Sequence, residues 1–513
     1  MPSTEGIPQD VLVHILQHVP LTERMSTCSL VQQCWKDAAA AATTSIALKG
    51  MTAASATAIA AQLASSSTFW AKHITSISLE QHAVPYESLW EVVLQLACPK
   101  LQQLHLSGFI LTPTAKSQSS SAGSGSADSQ GLSLGCPLLQ EVSLTSCWVE
   151  TAECASIQSQ GALSLLTALP ALTKLHLGAI KVSVAAPGGG NHRDPNLRPL
   201  SALAGLQELS LEKPKAWQLQ VLFRPSNQQQ LLPSLTKLSI LTDPGKFQYN
   251  SSTTPGLYEL CSLRCLDLRG AEVGSVQQLS ALSLLESLVL HSTTSLRVGN
   301  HVSDSNSEGC DDDLMGRDDP CVADTGELLQ LLPQLTRLTS LDVFGLADSE
   351  SLLAAAVPQW TCLGRCTGLQ VLRLQNLFMH RDSWPLMFAG AQFNRLRELR
   401  LTIFYDFYEF HDDDSGVMPP QVVQQMVDAC PNLKVLQLGG DGLLSNKGSP
   451  GNCMPEVRDC PPVSLAALAQ LQHLTSLRVY SLRTQVCFGR LVTPSCALWC
   501  TLQRPFPGVV VLH

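Results

Sequence analysis

Charged and aromatic residues are both scarce in this chain of 513 residues. Asp, Glu, Lys and Arg make up 15% of it, and Phe, Trp and Tyr only 5%, while 45% is apolar. The net charge of −9 disfavours a nucleic-acid partner, because phosphate binding requires an excess of basic groups. No stretch approaches the ~20 uninterrupted apolar residues of a membrane helix, and no secretory signal is recognisable. We therefore expect a chain with a large core that binds neither nucleic acid nor membrane.

Motifs of catalysis, phosphate binding and metal binding are also missing. No glycine loop ends in Lys-Ser/Thr, and Gly123-Ser-Gly-Ser126 is low-complexity sequence with no strand leading into a helix. Residues 304–315 begin like a calcium loop, but Met315 stands where a bidentate Glu is required. Two cysteine pairs four residues apart, at 362/366 and 496/500, have no second pair at zinc spacing. We expect no enzyme, no cofactor and no metal.

Cysteine, by contrast, is frequent, with 18 residues. Several occupy the same lead-in to a repeated motif described below, and this placement favours small buried hydrophobic residues in a reducing compartment. A disulfide framework is the alternative. The cysteines that share the lead-in position are Cys98, Cys136, Cys366, Cys430 and, in another Cys-Pro step, Cys460.

A six-residue pattern recurs: an apolar residue, two variable residues, an apolar residue, a variable residue and a third apolar residue. Successive copies start between 22 residues (Leu263 to Leu285) and 53 residues (Leu285 to Leu338) apart. The second and third apolar positions are two residues apart, so they face one side of a β-strand. Each copy predicts one short strand. The thirteen copies start at Ile74, Leu101, Leu139, Leu172, Leu206, Leu235, Leu263, Leu285, Leu338, Leu369, Leu396, Leu433 and Leu474.

Each such unit can bury its apolar side only by stacking on its neighbours. The pattern resembles the leucine-rich-repeat family over residues 46–513. The resemblance implies an α/β solenoid of about thirteen to fourteen repeats, an irregular horseshoe with parallel β-strands on its concave face. The position three after the last apolar residue, usually Asn or Cys in the family, departs from it, so we expect its side-chain ladder to be missing. The residues found at this position are Phe109, Cys147, Ile180, Ala271, Leu377, Phe404 and Asp441.

Six insertions lengthen the repeats, and their polar, Gly/Pro-rich or acidic composition predicts loops or disorder. Each starts close to the end of a predicted strand. Because parallel strands end at one edge of a sheet, we expect the insertions to emerge together, where loops commonly carry recognition. They cover residues 112–136, 183–199, 242–256, 297–326, 405–420 and 441–462.

Residues 7–42 have a different pattern, with apolar residues at helical spacing behind Pro8 and again before Trp35. We predict three short helices, which are too small to bury their apolar residues among themselves. The leftover surface must therefore cover the solenoid, a partner, or both. Ile7-Pro-Gln-Asp-Val-Leu12, Ile15-Leu16, Val19-Pro20, Arg24 and Leu30-Val-Gln-Gln-Cys-Trp35 are together similar to an F-box, although Ile7 stands where the family usually has Leu.

The F-box resemblance implies a small all-α domain that docks on a Skp-type adaptor and through it on a cullin. The chain would then be the non-catalytic substrate-recognition subunit of a Skp–cullin–F-box E3 ubiquitin ligase, in the cytoplasm and/or nucleus, and its repeats would bind an unknown protein substrate. The alternative is a leucine-rich-repeat scaffold without a ligase role, whose N-terminal helices act as a cap. By position, the implied adaptor-binding residues are Ile7, Pro8, Leu12, Ile15, Leu16, Pro20 and Val31.

Two regions are candidates for binding that substrate. The segment 404–414 is rich in aromatic residues, which carry much of the energy at protein interfaces, although its rings could instead fold onto the solenoid. Arginines at variable strand positions could grip carboxylates or phosphates, unless they are only solvated charges. The candidates are Tyr405, Phe407, Tyr408, Phe410, Arg373, Arg400 and Arg478, and Arg269, Asp267 and Asp342 occupy variable positions of other predicted strands on the same face.

Overall fold

The computed structural model describes most of the repeated core. The described residues are 7–20, 23–24, 33–51, 72–81, 98–111, 136–151, 163, 166–167, 169–179, 181–184, 197–224, 231–243, 247–249, 256–273, 277–291, 325–344, 357–377, 383–403, 420–438, 465–468, 470–479 and 510–511. They fall in two compact units, one comprising Met1–Leu238 and Thr254–Leu260, the other Ser239–Thr253 and Cys261–His513.

The first unit begins with two helices, α1 (Gln9–Gln17) and α2 (Gln33–Ala42), followed by a parallel sheet. The order of hydrogen-bonded strands in this sheet is β1-β2-β3-β5-β7-β9. One further helix, α3, covers Ala216–Leu222. The strands are β1 (Ser45–Met51), β2 (Ser76–Gln81), β3 (Gln103–Ser107), β5 (Glu141–Thr145), β7 (Lys174–Gly178) and β9 (Glu208–Glu212).

The second unit repeats this arrangement, with neighbouring strands in the order β12-β14-β15-β16-β17-β18-β19-β20, all parallel. Strand β10 (Lys237–Leu241) contains the boundary between the units. The strands are β12 (Cys265–Arg269), β14 (Ser287–His291), β15 (Ser340–Phe344), β16 (Val371–Leu377), β17 (Glu398–Ile403), β18 (Val435–Leu438), β19 (Ser476–Val479) and β20 (Val510–Val511).

Short helical segments carry the chain between strands. In the second unit these are α4 (Thr325–Leu331), α5 (Val357–Leu363), α6 (Ser383–Phe388), α7 (Pro420–Ala429) and α8 (Leu465–Leu468). Single 3₁₀ turns serve the same purpose at Arg198–Ala202, Leu257–Glu259, Gln277–Ala281 and Leu332–Gln334.

All thirteen motif copies form strands, and each strand begins two residues after the first apolar residue of its motif. The second and third apolar positions of neighbouring repeats stand in register, as in the run Leu106, Leu144, Leu177, Leu211. These side chains are at most 3% exposed, so the core is a continuous stack of leucines along each unit. The fold is an α/β leucine-rich-repeat solenoid. The variable positions between the leucines form the opposite side of each sheet, which we call the open face.

The expectation that the side-chain ladder is missing three positions after the last apolar residue needs a correction at one repeat. Cys147 is buried and its thiol lies 3.5 Å from the carbonyl oxygens of Leu106 and Thr145, so one rung is present. A second ladder runs at the second motif position, where threonine hydroxyls donate to the carbonyl of the preceding repeat. The threonines are Thr75, Thr173, Thr236, Thr339 and Thr475, at 3.0–3.3 Å.

The insertions lie largely outside the described residues, but the described parts of them include strands. Strand β8 (Lys181–Val184) overlaps the start of the insertion at 183–199, and strand β11 (Phe247–Tyr249) lies inside the one at 242–256. Both belong to small additional parallel sheets. These sheets are β4-β6-β8, with β4 at Ile110–Leu111 and β6 at Trp148–Thr151, and β11-β13, with β13 at Ala271–Val273.

In five of the described repeats a left-handed residue follows the main strand, and in all of these except the one with Lys213 it leads to an additional strand. It lies two positions after the last leucine of the motif, and its N–H donates to a carbonyl of the next repeat, as from Ala179 to Glu212 and from Gly270 to His291. Only some of these residues are glycines. The φ angles are 82° at Gly108, 52° at Ser146, 46° at Ala179, 53° at Lys213 and 77° at Gly270.

Candidate functional site

Helix α1 divides its apolar residues between two faces. Leu12 and Leu16 are 4% and 1% exposed, so they belong to the core of the first unit. Val11 and Ile15, which are also four residues apart, are 44% and 47% exposed, and Ile7 beside the N-cap residue Pro8 is 43% exposed. We call Ile7, Val11 and Ile15 the docking stripe, because four-residue spacing places them along one side of the helix.

The predicted adaptor-binding residues therefore have two different environments. Ile7 and Ile15 lie on the stripe, and Pro8 and Pro20 are exposed next to the helix ends. Leu12 and Leu16 are covered by their own chain and stabilise the helices. Val31 lies outside the described residues. Val11, which the resemblance does not assign to the adaptor, completes the exposed stripe.

The stripe is held in place by contacts of Arg24 and of helix α2. Arg24 donates from Nη1 to the carbonyl of Ala42 at 2.7 Å and from Nε to that of Val19 at 3.0 Å, which ties the end of α1 to the end of α2. Ala38, Ala39 and Ala40 on α2 are fully buried. Small side chains let two helices approach closely, so α1 can pack tightly against α2.

The second candidate is a group of charged residues on the open face of the second unit, which we call the arginine cluster. It consists of Asp342, Arg373, Glu398 and Arg400. Arg373 donates from Nε to Glu398 Oε1 at 2.7 Å and from Nη1 to Asp342 Oδ2 at 3.4 Å. Arg400 Nε lies 2.6 Å from the same Glu398 oxygen. This contact is an ion pair but not a hydrogen bond, because the N–H of Nε is not directed at the oxygen.

Asp342 is the most buried charge of the arginine cluster, at 7% exposure. Besides Arg373, its Oδ1 is 3.1 Å from His291 Nε2 and accepts a hydrogen bond from Gln375 Nε2 at 3.1 Å. Burial works to raise the pKa of Asp342, but the hydrogen bond to His291 and the positive charges nearby outweigh it and lower the pKa. Asp342 is therefore held as a carboxylate.

Glu398 and Arg373 stabilise each other's charge. Burial acts to raise the pKa of Glu398, yet the hydrogen bond from Arg373 and the charge of Arg400 bring its pKa below the ordinary value. The hydrogen bond to Glu398 in turn raises the pKa of Arg373. Two positive and two negative charges thus balance within the arginine cluster, and the arginines are neither free nor merely solvated.

The strand register shows which predicted arginines belong together. Arg373 is paired in register with Asp342 on one side and with Arg400 on the other, and the row continues through Gln437 to Arg478. Arg269 is two positions further along its strand than the row, paired with His291 in register and bonded to Asp267 at 3.0 Å. Arg373, Arg400 and Arg478 therefore form one row, and Arg269 does not belong to it.

The open face of the first unit is more neutral. Its central row, read across the register, is Ala47, Ser78, His105, Ser143, His176 and Ser210. The charged residues are confined to its margins, where Glu208 contacts Lys174 at 2.8 Å and Lys237 at 3.6 Å. His176 lies 3.4 Å from Glu212.

The buried cysteines have the environment expected of unreactive thiols. Cys98, Cys136, Cys366 and Cys430 are all buried, and none of these four forms a disulfide. Burial raises the pKa of Cys98, Cys366 and Cys430 to about 12, so these thiols stay protonated near neutral pH. Cys460 lies outside the described residues.

Within the described ranges no cluster of three or more His, Cys, Asp or Glu could hold a metal ion. The best-formed cavity in those ranges, between Leu177, Leu211 and Gln218, measures about 20 Å³, room for roughly one water. None of the described helices combines the length and apolar character needed to cross a membrane. The aromatic candidates Tyr405, Phe407, Tyr408 and Phe410 lie outside the described residues.

Comparison with known proteins adds no relative by sequence: neither a family model nor a curated protein matches the chain. Three solved structures of low similarity share parts of its path. An internalin (inlF) from Listeria monocytogenes is 14% identical, with 91% of this chain and 93% of that chain covered and a TM-score of 0.43. A leucine-rich-repeat protein of Leptospira interrogans is 13% identical, with 93% and 92% covered and a TM-score of 0.43.

The third, the mouse RP105/MD-1 complex, is 14% identical, with 80% of this chain and 52% of that chain covered and a TM-score of 0.40. Because the three TM-scores are below 0.5, the fold assignment depends on the strand registers of the chain itself.

Proposed function

We propose that this chain is the substrate-recognition subunit of a Skp–cullin–F-box E3 ubiquitin ligase. In this proposal α1 and α2 dock a Skp-type adaptor, which links the chain to a cullin, and the repeats bind a target protein. The chain performs no chemistry itself. It holds the target near the conjugating enzyme and so raises the effective concentration of the reacting groups. The proposed location is the cytoplasm, the nucleus, or both.

The observation that supports this proposal is the docking stripe on α1. A helix that only caps a solenoid needs one apolar face, and Leu12 and Leu16 provide it. Ile7, Val11 and Ile15 form a second apolar surface, which the chain itself leaves more than two-fifths exposed. Covering apolar surface contributes about 25 cal/mol per Å², so this stripe is better explained by a partner than by capping.

A second candidate function is a protein-binding scaffold without a ligase role. It is favoured by the burial of Leu12, Leu16 and the alanines of α2, which is the packing expected of an N-terminal cap. The two candidates differ in the purpose of the stripe. In a scaffold with a helical cap, no partner covers the docking stripe. In a ligase subunit, the adaptor covers it.

For the target, we propose the row that contains Arg373, Arg400 and Arg478, together with the aromatic segment that follows β17. Glu398 and Asp342 fix the Arg373 guanidinium, and Glu398 lies beside that of Arg400, while each guanidinium carries five N–H donors in all. Fixed donors lose little entropy on binding a carboxylate. Tyr405, Phe407, Tyr408 and Phe410 would supply apolar contacts at the edge where β17 ends.

A matched pair of variants tests the adaptor proposal. Ile15→Glu places a charge on the docking stripe, whereas Gln17→Glu places the same charge on the same helix about 200° away, at another exposed position. In a pull-down with a purified Skp-type adaptor, we expect Ile15→Glu to lose binding and Gln17→Glu to keep it.

Circular dichroism accompanies the pull-down, because both variants must keep the wild-type thermal transition for the comparison to count. Adaptor capture by Ile15→Glu at the wild-type level would remove the ligase proposal. A loss of thermal stability by Ile15→Glu without any adaptor binding by the wild type would favour the scaffold.

A further inference from the structure

Helix α1 carries two exposed histidines one turn apart. His14 and His18 are at positions i and i+4, so they lie on the same side of the helix. Their ring centroids are 5.3 Å apart and the ring planes are at 88° to each other. Histidines with this spacing on a helix are a recurring arrangement of zinc ligands, and sequence reasoning that considered only cysteine pairs and acidic loops did not consider it.

The centroid separation leaves room for a shared tetrahedral ion when each ring is turned to present a nitrogen to it. A zinc–nitrogen bond is about 2.0–2.1 Å, and the nitrogen lies about 1.2 Å from the centre of an imidazole ring, so the ion would be ~3.2 Å from each centroid. Two such distances at the tetrahedral angle of about 109° put the centroids ~5.2 Å apart. A cis square-planar or octahedral angle of about 90° would require ~4.5 Å.

We propose that His14 and His18 form a two-histidine site for Zn²⁺. The protein supplies two ligands, and water or a side chain of another molecule supplies the remaining two of the four that zinc takes. Asp10, one turn before His14 and also exposed, adds negative charge on the same side of the helix. A carboxylate close to an ion-binding pair favours a cation.

The site is independent of the proposed adaptor function. His14 and His18 are three residues from Val11 and Ile15 respectively, so an ion there would lie beside the docking stripe, but zinc binding is measured on the free chain. A negative result in the adaptor pull-down would leave the zinc site untouched, and the absence of zinc binding would leave the adaptor proposal untouched.

Isothermal titration of the full-length, metal-free chain with zinc chloride tests the site. The chain has other groups that take zinc, including free cysteines, so the comparison is between variants. We expect His18→Gln to lose one binding event or to weaken it at least tenfold. His473→Gln, which removes an exposed histidine of the second unit, is the matched control and should titrate like the wild type.

A rescue variant separates ligation from a general effect on the helix. His18→Cys keeps a zinc ligand at the same position, so we expect it to restore the lost binding event. The site does not exist if His18→Gln titrates like the wild type, or if His18→Cys is as deficient as His18→Gln. Binding that requires millimolar zinc in the wild type would also overturn the proposal.

Discussion

Glu208 and Glu398 hold corresponding positions in the two units, yet their surroundings differ. Each is the first residue of its strand, lies on the open face and contacts two cations. The two cations near Glu208 lie on other strands, whereas those near Glu398 lie on the preceding strand and on its own strand. Glu208 is 35% exposed in its side chain and faces two lysines, whereas Glu398 is 18% exposed and faces Arg373 and Arg400. In both cases the cations lower the pKa of the carboxyl group.

From this difference we expect burial to decide the contribution of such contacts to stability more than their number does. An exposed ion pair gains little because water screens it. When one member of a partly buried ion pair is removed, the remaining charge cannot be fully solvated by water, and the fold loses stability. We therefore expect the open face of the second unit to depend on its charges and that of the first unit to tolerate their loss.

The largest expected effect concerns backbone geometry in the second unit. Gly270 has a φ of 77°, and a Cβ there would lie 2.1 Å from the carbonyl oxygen of Thr242. Because backbone atoms would have to move, we expect Gly270→Ala to cost about 3 kcal/mol locally. Hydrogen–deuterium exchange of peptides covering 261–291 should accelerate about 100-fold. Unchanged exchange would mean that the turn accommodates a side chain, as it does at Ala179.

Next in size is the loss of the bridging carboxylate. Glu398→Gln removes the negative charge that Arg373 and Arg400 share, so we expect a loss of about 1–2 kcal/mol in the stability of the second unit. Glu208→Gln is the matched control in the first unit, with an expected loss below about 0.5 kcal/mol. Local exchange in β16–β17 and in β7–β9 measures the two effects. Equal losses would contradict the role given to burial.

Acid should destabilise the second unit more than the first. The folded-state pKa values of Asp342 and Glu398 are lowered, so these groups stabilise the fold above the unfolded values of about 4 and that contribution is lost as pH falls through the folded values. We expect the opening equilibrium of β15–β17, which is the exchange rate divided by the intrinsic rate at each pH, to rise severalfold from about pH 5 to pH 3. The Asp342→Asn variant should show a weaker pH dependence of exchange in β15–β17. If its pH dependence is as steep as that of the wild type, groups other than Asp342 cause it.

The smallest effect has the opposite sign and belongs to the first unit. Ala179 has a φ of 46°, a conformation that glycine adopts without strain. Ala179→Gly should therefore stabilise the turn by about 0.5–1 kcal/mol, after the entropy gained by the unfolded chain is allowed for. Slower exchange in β7–β8 checks this. A destabilised turn would show that the methyl group contributes more by packing than it costs in strain.

The strands could be predicted from sequence because their signal is short-range and repeated. Apolar residues two apart define the buried side of each strand, and thirteen copies confirm one another through the register that stacks Leu106 on Leu144 and Leu177. The additional sheets could not be predicted. Two of their turns use Ser146 and Ala179 in the left-handed region, where a glycine would have been the recognisable signal.

The candidate sites were only partly predictable for a related reason. Helical periodicity identified the apolar residues of α1, but it could not tell that Leu12 faces the core while Ile15 faces solvent, because this depends on where α2 packs. Similarly, Arg373 and Arg400 were recognisable as surface charges. Their pairing with Glu398 and Asp342 becomes visible only when the motifs are aligned in register.

The most direct test of the central proposal is a calorimetric titration of a purified Skp-type adaptor into the intact chain. The proposal predicts a saturable 1:1 complex with a negative heat-capacity change, because the docking stripe loses its contact with water. The Ile15→Glu variant should give no heat of binding while Gln17→Glu behaves as the wild type. An intact chain that shows no binding would contradict the proposal and leave a leucine-rich-repeat scaffold with a helical cap.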